Sequence, residues 1–327
     1  MTHSYWRPDG RCPRLFLAPM EGLGDISFRK AFTKVFGGYD EATTPFMRVP
    51  SNAHVKSLAK KYDAHQLGDI PCAAQIMGGD AVLMASMAAE LEGRGAPRID
   101  INVGCPSNTV VGRNAGSVIL KDPTKLYNIA NAVVNAVEIP VSIKMRAGFN
   151  DDVLFKENLH AAEDSGASFI IVHPRTKKEG YSLPSHWERL VIAKASVSIP
   201  VVGNGDIIYN SDAVAMVEAS WCDGIMVGRG ALMNPWIFHD IRRAFSSTPY
   251  HKDHDDVILF LHEVLRLFPG NMSRRIRINK LKGIVVFLFH DDADSKESLL
   301  KMQPDNDAVF LEEITLAWRK KQKKYHE

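Results

Sequence analysis

The feature of this sequence that most constrains its fold is a series of short apolar runs along its first 230 residues. The runs are rich in Val and Ile, and most are separated by segments of helical period, such as residues 81–95 and 123–138. Because the runs lack strict apolar and polar alternation, we expect strands that are buried on both faces. Seven runs are visible, at residues 15–20, 72–77, 99–103, 140–146, 168–173, 200–205 and 223–228.

Alternation of strands and helices predicts an α/β protein with a parallel sheet. A weaker eighth strand fits at residues 39–44, which brings the repeat to roughly 25 to 40 residues per unit, as in a (β/α)8 TIM barrel of about 250 residues. A doubly wound sheet is the alternative, and eight evenly spaced units disfavour it.

The pattern changes after about residue 244, where helical runs replace the strands. We therefore expect two domains, a barrel at residues 1–243 and a C-terminal helical domain at residues 244–327. The second domain carries basic clusters at residues 274–282 and 319–324. Charge pattern alone favours the plain interpretation that these clusters are solvated helix faces.

Composition excludes several classes of protein. The chain has 327 residues, of which 45% are hydrophobic, and a net charge of +2. Its apolar runs fall far short of the ~20 residues of a membrane span, and its N-terminus lacks the apolar core of a signal peptide, so we expect a cytoplasmic protein. Four scattered cysteines form neither a zinc motif nor a disulfide scaffold. We expect free thiols and no metal site.

In a barrel of this kind the site lies at the C-terminal ends of the strands. Lys144 and Arg146, two residues apart on one strand, should point to the same side and suit an anionic ligand. The polar and sulfur-bearing side chains that close the runs are Met20, Gln75, Asn102, Cys105, Lys144, Arg146, His173, Arg175, Asn204 and Asp206.

Two strand ends have the composition of a phosphate site. The sequences GNGD, at residues 203–206, and VGRG, at residues 227–230, close the last two predicted strands. Glycine lets backbone N–H groups approach a phosphate closely, although either motif by itself could simply serve a turn. Both motifs together, with Arg229 to pair the charge, favour a phosphorylated cofactor.

Cys105 follows a predicted strand and is flanked by Gly104 and Pro106, which suits a thiol that points into a cleft. A lone cysteine is more often a small buried hydrophobe. An unperturbed thiol, with a pKa near ~8.5, can act as a general acid as readily as a nucleophile. The residues do not decide between these roles, and His173 is a candidate base on another strand.

Six motifs in this order and spacing resemble the flavin-dependent tRNA-dihydrouridine synthases. The resemblance is close over residues 14–240 and loose in the tail. The segments HPRTKKEGY and GCPSNTV are most similar to the bacterial C subgroup, which modifies uridine 16, although Pro174 stands where relatives commonly have Gly or Ala. The motifs are LAPMEGLGD, INVGCPS, SIKMRAG, VHPRTKKEGY, VVGNGDI and IMVGRGAL.

The resemblance implies a reaction in which FMN, recharged by NADPH, reduces uracil at C6 while Cys105 protonates C5. The target base would leave its stack to reach the flavin, and the basic clusters of the tail would contact tRNA phosphates. A monomer is expected. The implied FMN-binding residues are Ala18, Pro19, Met20, Gln75 and Lys144 at the ring, Asn204, Gly205, Asp206, Gly228 and Arg229 at the phosphate end, and His173. The implied contacts to the pyrimidine are Asn102, Arg146 and Arg175, with His173 also facing it.

Three alternatives remain open at this point. Relatives of the same fold act at uridine 20 or elsewhere in the D-loop. An FMN oxidoreductase of the dihydroorotate or dihydropyrimidine type would use the same barrel on free pyrimidines and gives no role to the basic tail. A non-catalytic RNA-binding protein would keep the fold and lack flavin.

Overall fold

Nine parallel strands form one sheet in the computed structural model, which describes residues 3–7, 10–106, 115–182 and 184–324. Eight of these strands close into a ring, because β1 pairs with β9 and β2 pairs with β4. The predicted TIM barrel is confirmed, and the ring excludes a doubly wound sheet. The strands are β1 (Arg14–Leu17), β2 (Glu41–Thr43), β3 (Met47–Val49), β4 (Cys72–Gly78), β5 (Ile99–Val103), β6 (Val141–Gly148), β7 (Phe169–Thr176), β8 (Val201–Asn204) and β9 (Gly224–Val227).

The short strand β3 has no counterpart in the predicted series. It pairs with the second half of β4, and Met47 lies opposite Ile76. Since β2 pairs with the first half of β4, β2 and β3 together form one interrupted side next to β4. The weakly predicted eighth strand at residues 39–44 is therefore real but broken, because it ends at Thr43.

Helices surround the barrel and continue into the C-terminal region. Asp25, Asp80 and Asp122 each cap a helix by accepting a hydrogen bond from a backbone N–H three residues on. The helices are α1 (His3–Trp6), α2 (Ile26–Val35), α3 (Val55–Ala59), α4 (Ala81–Glu92), a 3-10 helix (Gly116–Lys121), α5 (Pro123–Val134), α6 (Phe155–Asp164), α7 (Glu188–Ser196), α8 (Asn210–Ser220), α9 (Gly230–Met233), α10 (Ile237–Ser246), α11 (Asp256–Leu267), α12 (Arg274–Leu288), α13 (Ala293–Lys301) and α14 (Asp307–Lys324).

The helical tail packs on helix α2 of the barrel. The ring of Phe260, on α11, meets those of Phe28 and Phe32 at 5.7 and 6.1 Å between centroids, and Ser27 donates to the carbonyl of Leu267 at 2.9 Å. The expected domain boundary at 243/244 falls inside α10. A division into two units stays a proposal, and we place its boundary in the segment 247–255, between α10 and α11.

The N-terminal half of the barrel interior holds a buried charge network. Arg98 donates to Glu41 at 2.7 Å and to Asp100 at 3.3 Å, and Arg14 approaches Glu41 at 3.5 Å. Two arginines and two carboxylates thus balance in charge, which limits the cost of burying them.

None of the helices in the described part of the chain combines the length and the apolar composition that a membrane span needs.

Candidate active site

A cavity of about 900 Å³ opens at the C-terminal end of the barrel. Every predicted site residue except Arg175 lines it, although their individual roles remain predictions. The part of the GCPSNTV segment beyond Pro106 lies outside the described residues. The predicted residues that line the cavity are Ala18, Pro19, Met20, Gln75, Asn102, Cys105, Lys144, Arg146, His173, Asn204, Gly205, Asp206, Gly228 and Arg229.

The backbone around Cys105 is held from three elements. The N–H groups of Gly104 and Cys105 both donate to Asn102 Oδ1, at 3.0 Å each. Arg146 Nε donates to the Gly104 carbonyl at 3.0 Å, and the Ser117 N–H donates to the Cys105 carbonyl at 3.1 Å. The thiol is half-buried at the cavity wall. Sequence reasoning anticipated its exposure but not this support.

Lys144 and Arg146 both face the cavity from β6, as their spacing predicts. Lys144 Nζ donates to Asn204 Oδ1 at 3.0 Å, and Asn204 in turn donates to the Met226 carbonyl at 2.8 Å. Burial lowers the pKa of Lys144 to about 8, with Arg146 adding to the effect and Asp100 opposing it. No described carboxylate forms an ion pair with Lys144, so the cavity floor carries a cation without a direct carboxylate partner near neutral pH.

His173 is a neutral group in this surrounding. Burial lowers its pKa well below the ordinary value, and the nearby cations Arg146 and Lys144 add to the effect. A neutral imidazole can donate at one nitrogen and accept at the other, but an imidazole with so low a pKa is a weak base at pH 7. The geometry thus suits His173 for hydrogen bonding to a ligand better than for proton abstraction.

The first glycine loop leaves no room for a side chain at Gly205. Its φ is +129°, and a Cβ there would lie 2.6 Å from Ser185 Oγ and 2.9 Å from His173 Cδ2. Glycine therefore lets the backbone pass close to His173 at the cavity wall. In the second loop, a Cβ on Gly228 would meet Ala18 at an ordinary 3.5 Å, so space alone does not require glycine at that position.

Asp206 has its carboxylate engaged within the protein. Arg175 Nη1 donates to Oδ1 at 2.9 Å, and the Ser185 N–H donates to Oδ2 at 2.8 Å. A carboxylate would also repel a phosphate. Any contact of Asp206 with a phosphorylated ligand thus falls to its backbone, while its side chain holds neighbouring loops in place.

Arg175, predicted to contact the pyrimidine, does not line the cavity. It is 3% exposed, and the register between β6 and β7 shifts where Pro174 and Arg175 lie, because Arg146 pairs with His173 but Gly148 with Thr176. Such a bulge breaks the alternation of side chains that would place Arg175 beside His173. The departure at Pro174 thus coincides with an irregular stretch of the strand.

Three aromatic residues of the cavity were missed by sequence reasoning: Phe46, Tyr181 and Phe287. Tyr181 is the most informative, because its ring lies 3.8 Å from the guanidinium carbon of Arg229 and 5.2 Å from that of Arg146. An aromatic residue that ends a charged loop was a usable signal for Tyr181. Phe287 lies in an apolar stretch of α12, where nothing separates it from a core residue.

The lining of the cavity combines positive charge with apolar surface. Lys144 and Arg229 place positive charge in the cavity, and the only carboxylates among its described lining residues are Glu21 and the engaged Asp206. The volume is within the range of cofactor pockets, and Met20 and Met226 add apolar surface for a planar ring. The residues present therefore suit an anionic ligand that is apolar at one end.

Comparison with known proteins agrees with this chemistry. The family model described as dihydrouridine synthase matches residues 16–288. A tRNA-dihydrouridine(16) synthase of Neisseria meningitidis serogroup B is 36% identical over 250 residues, which are 74% of either chain. One of Pseudomonas putida is 32% identical over 310 residues, which are 92% of this chain and 96% of the relative.

Solved structures support the fold alone. A 2-naphthoyl-CoA reductase matches with a TM-score of 0.54 at 11% identity, over 71% of this chain and 50% of that chain. A histamine dehydrogenase from Rhizobium sp. 4-9 has the same TM-score and identity, over 71% and 46%. This chain thus spans about half of these larger proteins. From its family match and its curated relatives, the chain belongs to the dihydrouridine synthase family of tRNA-modifying flavin oxidoreductases.

Proposed function

We propose that this enzyme reduces uridine 16 in the D-loop of tRNA to 5,6-dihydrouridine, with FMN as its flavin and NADPH as reductant. The observation that carries the proposal is the position of Cys105. A thiol whose flanking backbone is held at both sides opens into the same cavity as Lys144, a cation without a direct partner among the described carboxylates. This pairs a proton donor with a site for an anionic cofactor.

The residues of this chain divide the work. Lys144, Gln75 and the backbone at Met20 would hold the flavin ring, and Gly205, Gly228 and Arg229 its phosphate end. A reduced flavin bound there would supply hydride to C6 of the uracil. Cys105 would give its proton to C5, which completes addition of two hydrogens across the double bond. Asn102 and Arg146 would orient the base, and His173 would donate a hydrogen bond as a neutral ring.

The proposal that position 16 is the target rests on the relatives. The cavity would contact only the uracil base and so cannot distinguish one position of the tRNA from another. The N. meningitidis and P. putida relatives are both named as uridine 16 enzymes. Position must be chosen by how the outer surface holds the rest of the tRNA, because phosphate contacts set register. The tail contributes Phe287 to the cavity, so a surface on the tail lies close enough to place the substrate.

The purified protein is expected to be yellow and to release FMN on denaturation. Replacing Arg229 with Ala should weaken FMN retention by about 1.5 to 3 kcal/mol, because a charge-assisted hydrogen bond is lost. Flavin content after dialysis, measured by absorbance and chromatography, checks both outcomes. Release of FAD, or unchanged affinity in the variant, would contradict the assignment.

Much of the basic charge in the tail serves the fold. Arg277 pairs with Asp307 at 2.9 Å, Lys280 pairs with Asp25, and Lys282 donates to the carbonyls of Leu300 and Met302. In the second cluster Lys321 is 5% exposed and donates to the Leu288 carbonyl at 2.8 Å. Because these cations are engaged within the protein, they are poorly placed to contact RNA phosphates. Among the basic side chains of the two clusters that the structure describes, the exposed ones are Arg274, Arg275, Arg319, Lys320 and Lys323.

Charge reversal at Arg275 and Lys320 together is expected to raise KM for tRNA about tenfold or more at low salt, since each phosphate contact contributes a salt-dependent attraction. Flavin content should stay unchanged. Lys156→Glu, an exposed position on α6 at the outside of the barrel, is the matched control. If the control raised KM as much as the double variant did, the tail would not be the tRNA surface.

A further inference from the structure

A chain of hydrogen bonds runs from the barrel interior to the backbone of Cys105. Asp100 Oδ2 accepts from Gln75 Nε2 at 2.7 Å, and Gln75 Oε1 accepts from Asn102 Nδ2 at 2.9 Å. Asn102 Oδ1 then accepts from the Gly104 and Cys105 N–H groups. Asp100 and Gln75 are fully buried and Asn102 is 9% exposed, so water does not compete for the first links.

The direction of this chain is set at its buried end. An ionised carboxylate can only accept, so the Gln75 amide must turn its nitrogen to Asp100 and its oxygen to Asn102. Asn102 must then turn its nitrogen to Gln75 and its oxygen to the Cys105 loop. If any link reversed, two donors or two acceptors would face each other. Orientation at Asp100 is therefore transmitted through two amides.

Asp100 is surrounded by groups that support its charge. Burial raises its pKa above the ordinary value, and Arg98, Gln75 and Ser142 offset only part of that rise. Arg98 Nη1 lies 3.3 Å from Oδ1, and Arg14 and Arg98 together balance Glu41 and Asp100 in charge. Gln75, Arg98 and Ser142 all donate to the Asp100 carboxylate, so it is an acceptor at each of these contacts.

We propose that Asp100 is a positioning residue whose buried carboxylate fixes the orientation of the Gln75 and Asn102 amides and so holds the backbone of Cys105 at the cavity wall. Asp100 does not line the cavity, so it would touch neither the uracil nor the flavin. The inference rests on the proposed role of Cys105 for its functional meaning. The same orientation also turns the second hydrogen of each amide nitrogen away from its partner, where it is free to meet an acceptor.

The sense of the chain can be reversed by design. In Asp100→Asn, Arg98 can only donate and so takes the new amide oxygen, which leaves the amide nitrogen to donate to Gln75. Gln75 then turns and presents its nitrogen to Asn102, and the chain ends with an amide nitrogen facing two N–H groups. In Asn102→Asp, two acceptors face each other at Gln75. Combining the substitutions restores a consistent chain that runs the other way, and Asp at 102 still accepts from both loop N–H groups.

The rate at which iodoacetamide alkylates Cys105 reports how firmly its backbone is held. The measurement needs neither tRNA nor NADPH. Cys12, Cys72 and Cys222 are fully buried, so labelling of the folded protein reports Cys105. Measured at pH 10, above the ordinary thiol pKa of ~8.5, the rate depends little on added charge. Each single variant is expected to label about tenfold faster, the factor for loss of one buried hydrogen bond. The double variant should return to within about threefold of the starting protein.

Ser142→Ala is the matched control, because Ser142 also donates to Asp100 but lies outside the chain to Cys105. Its labelling rate should stay at the starting value. If the double variant labels as fast as the product of the two single effects, the residues act independently and the proposal is overturned. Should Asp100→Asn fail to fold, Gln75→Leu cuts the chain without changing charge, and an unaltered labelling rate there would equally overturn it. The labelling rates do not depend on dihydrouridine activity. The test of Asp100 can therefore fail or succeed independently of the proposed function.

Discussion

Replacing Cys105 with Ala is expected to lower the rate of uridine reduction by ~10²-fold or more, as for loss of a general acid. The alanine removes the one group that we assign to protonate C5 while the backbone contacts of residue 105 to Asn102 and Ser117 remain. Flavin content and NADPH oxidation should persist, because neither uses the thiol. Single-turnover reduction of an unmodified tRNA transcript measures the loss.

The two half-reactions separate this role from a structural one. Cys105→Ser is the matched variant, since its hydroxyl keeps the size and the backbone contacts but is a far weaker acid. Both variants should show the same loss in tRNA reduction. If oxidation of NADPH fell in parallel, or if the alanine variant reduced tRNA at the starting rate, Cys105 would not be the acid.

Flavin retention is expected to fall as pH rises above 8, by up to about tenfold per pH unit, the limit for one linked proton. The cause is Lys144, whose pKa burial lowers to about 8, so the cation that would hold an anionic cofactor is lost above that pH. Titration of FMN binding between pH 7 and 10 measures the slope. In Lys144→Met the affinity should be weaker at pH 7 and nearly flat over this range.

Stability of the flavin-free chain should change in the opposite direction. The folded pKa of Lys144 is about 8 and its ordinary value 10.5, so between these values the unfolded chain binds more protons. The free energy of unfolding therefore rises with pH in that window. Chemical denaturation of the flavin-free protein at pH 8 and 10 tests the sign, and Lys144→Met should remove the Lys144 contribution. A flavin affinity that rose with pH would contradict the assignment of Lys144.

The barrel could be predicted because its strands are buried on both faces and so stand out as apolar runs. The run at residues 99–103 coincides with β5. Short β3 could not be found, because it has three residues and β4 is its one pairing partner among the described strands. The expected domain boundary at 243/244 falls inside α10, because a change of pattern marks where the strands stop and α10 already belongs to the helical part of the pattern. The division into two domains stays a prediction.

The residues of the site could be predicted because they lie at the ends of the strands. Their hydrogen-bond and ion-pair partners could not be predicted in this way. Lys144 and Arg146 face the cavity because side chains two apart share a side of a strand. The same rule offered a signal for Asp100, two residues before Asn102 on β5, that was not used. Arg175 does not line the cavity, because β7 is irregular at this point. Sequence composition does not reveal such a bulge. Internal pairing of Lys280 and Lys282 depends on tertiary contacts that charge pattern cannot show.

Mapping dihydrouridine in tRNA from cells with and without this gene tests the central claim most directly. Loss of dihydrouridine at position 16 in the deletion strain, restored by the intact gene but not by its Cys105→Ala form, is the predicted result. Loss at position 20 with position 16 retained would contradict the choice of site and leave the chemistry standing. If every D-loop position kept its dihydrouridine and no other enzyme modified them, the proposed function itself would be contradicted.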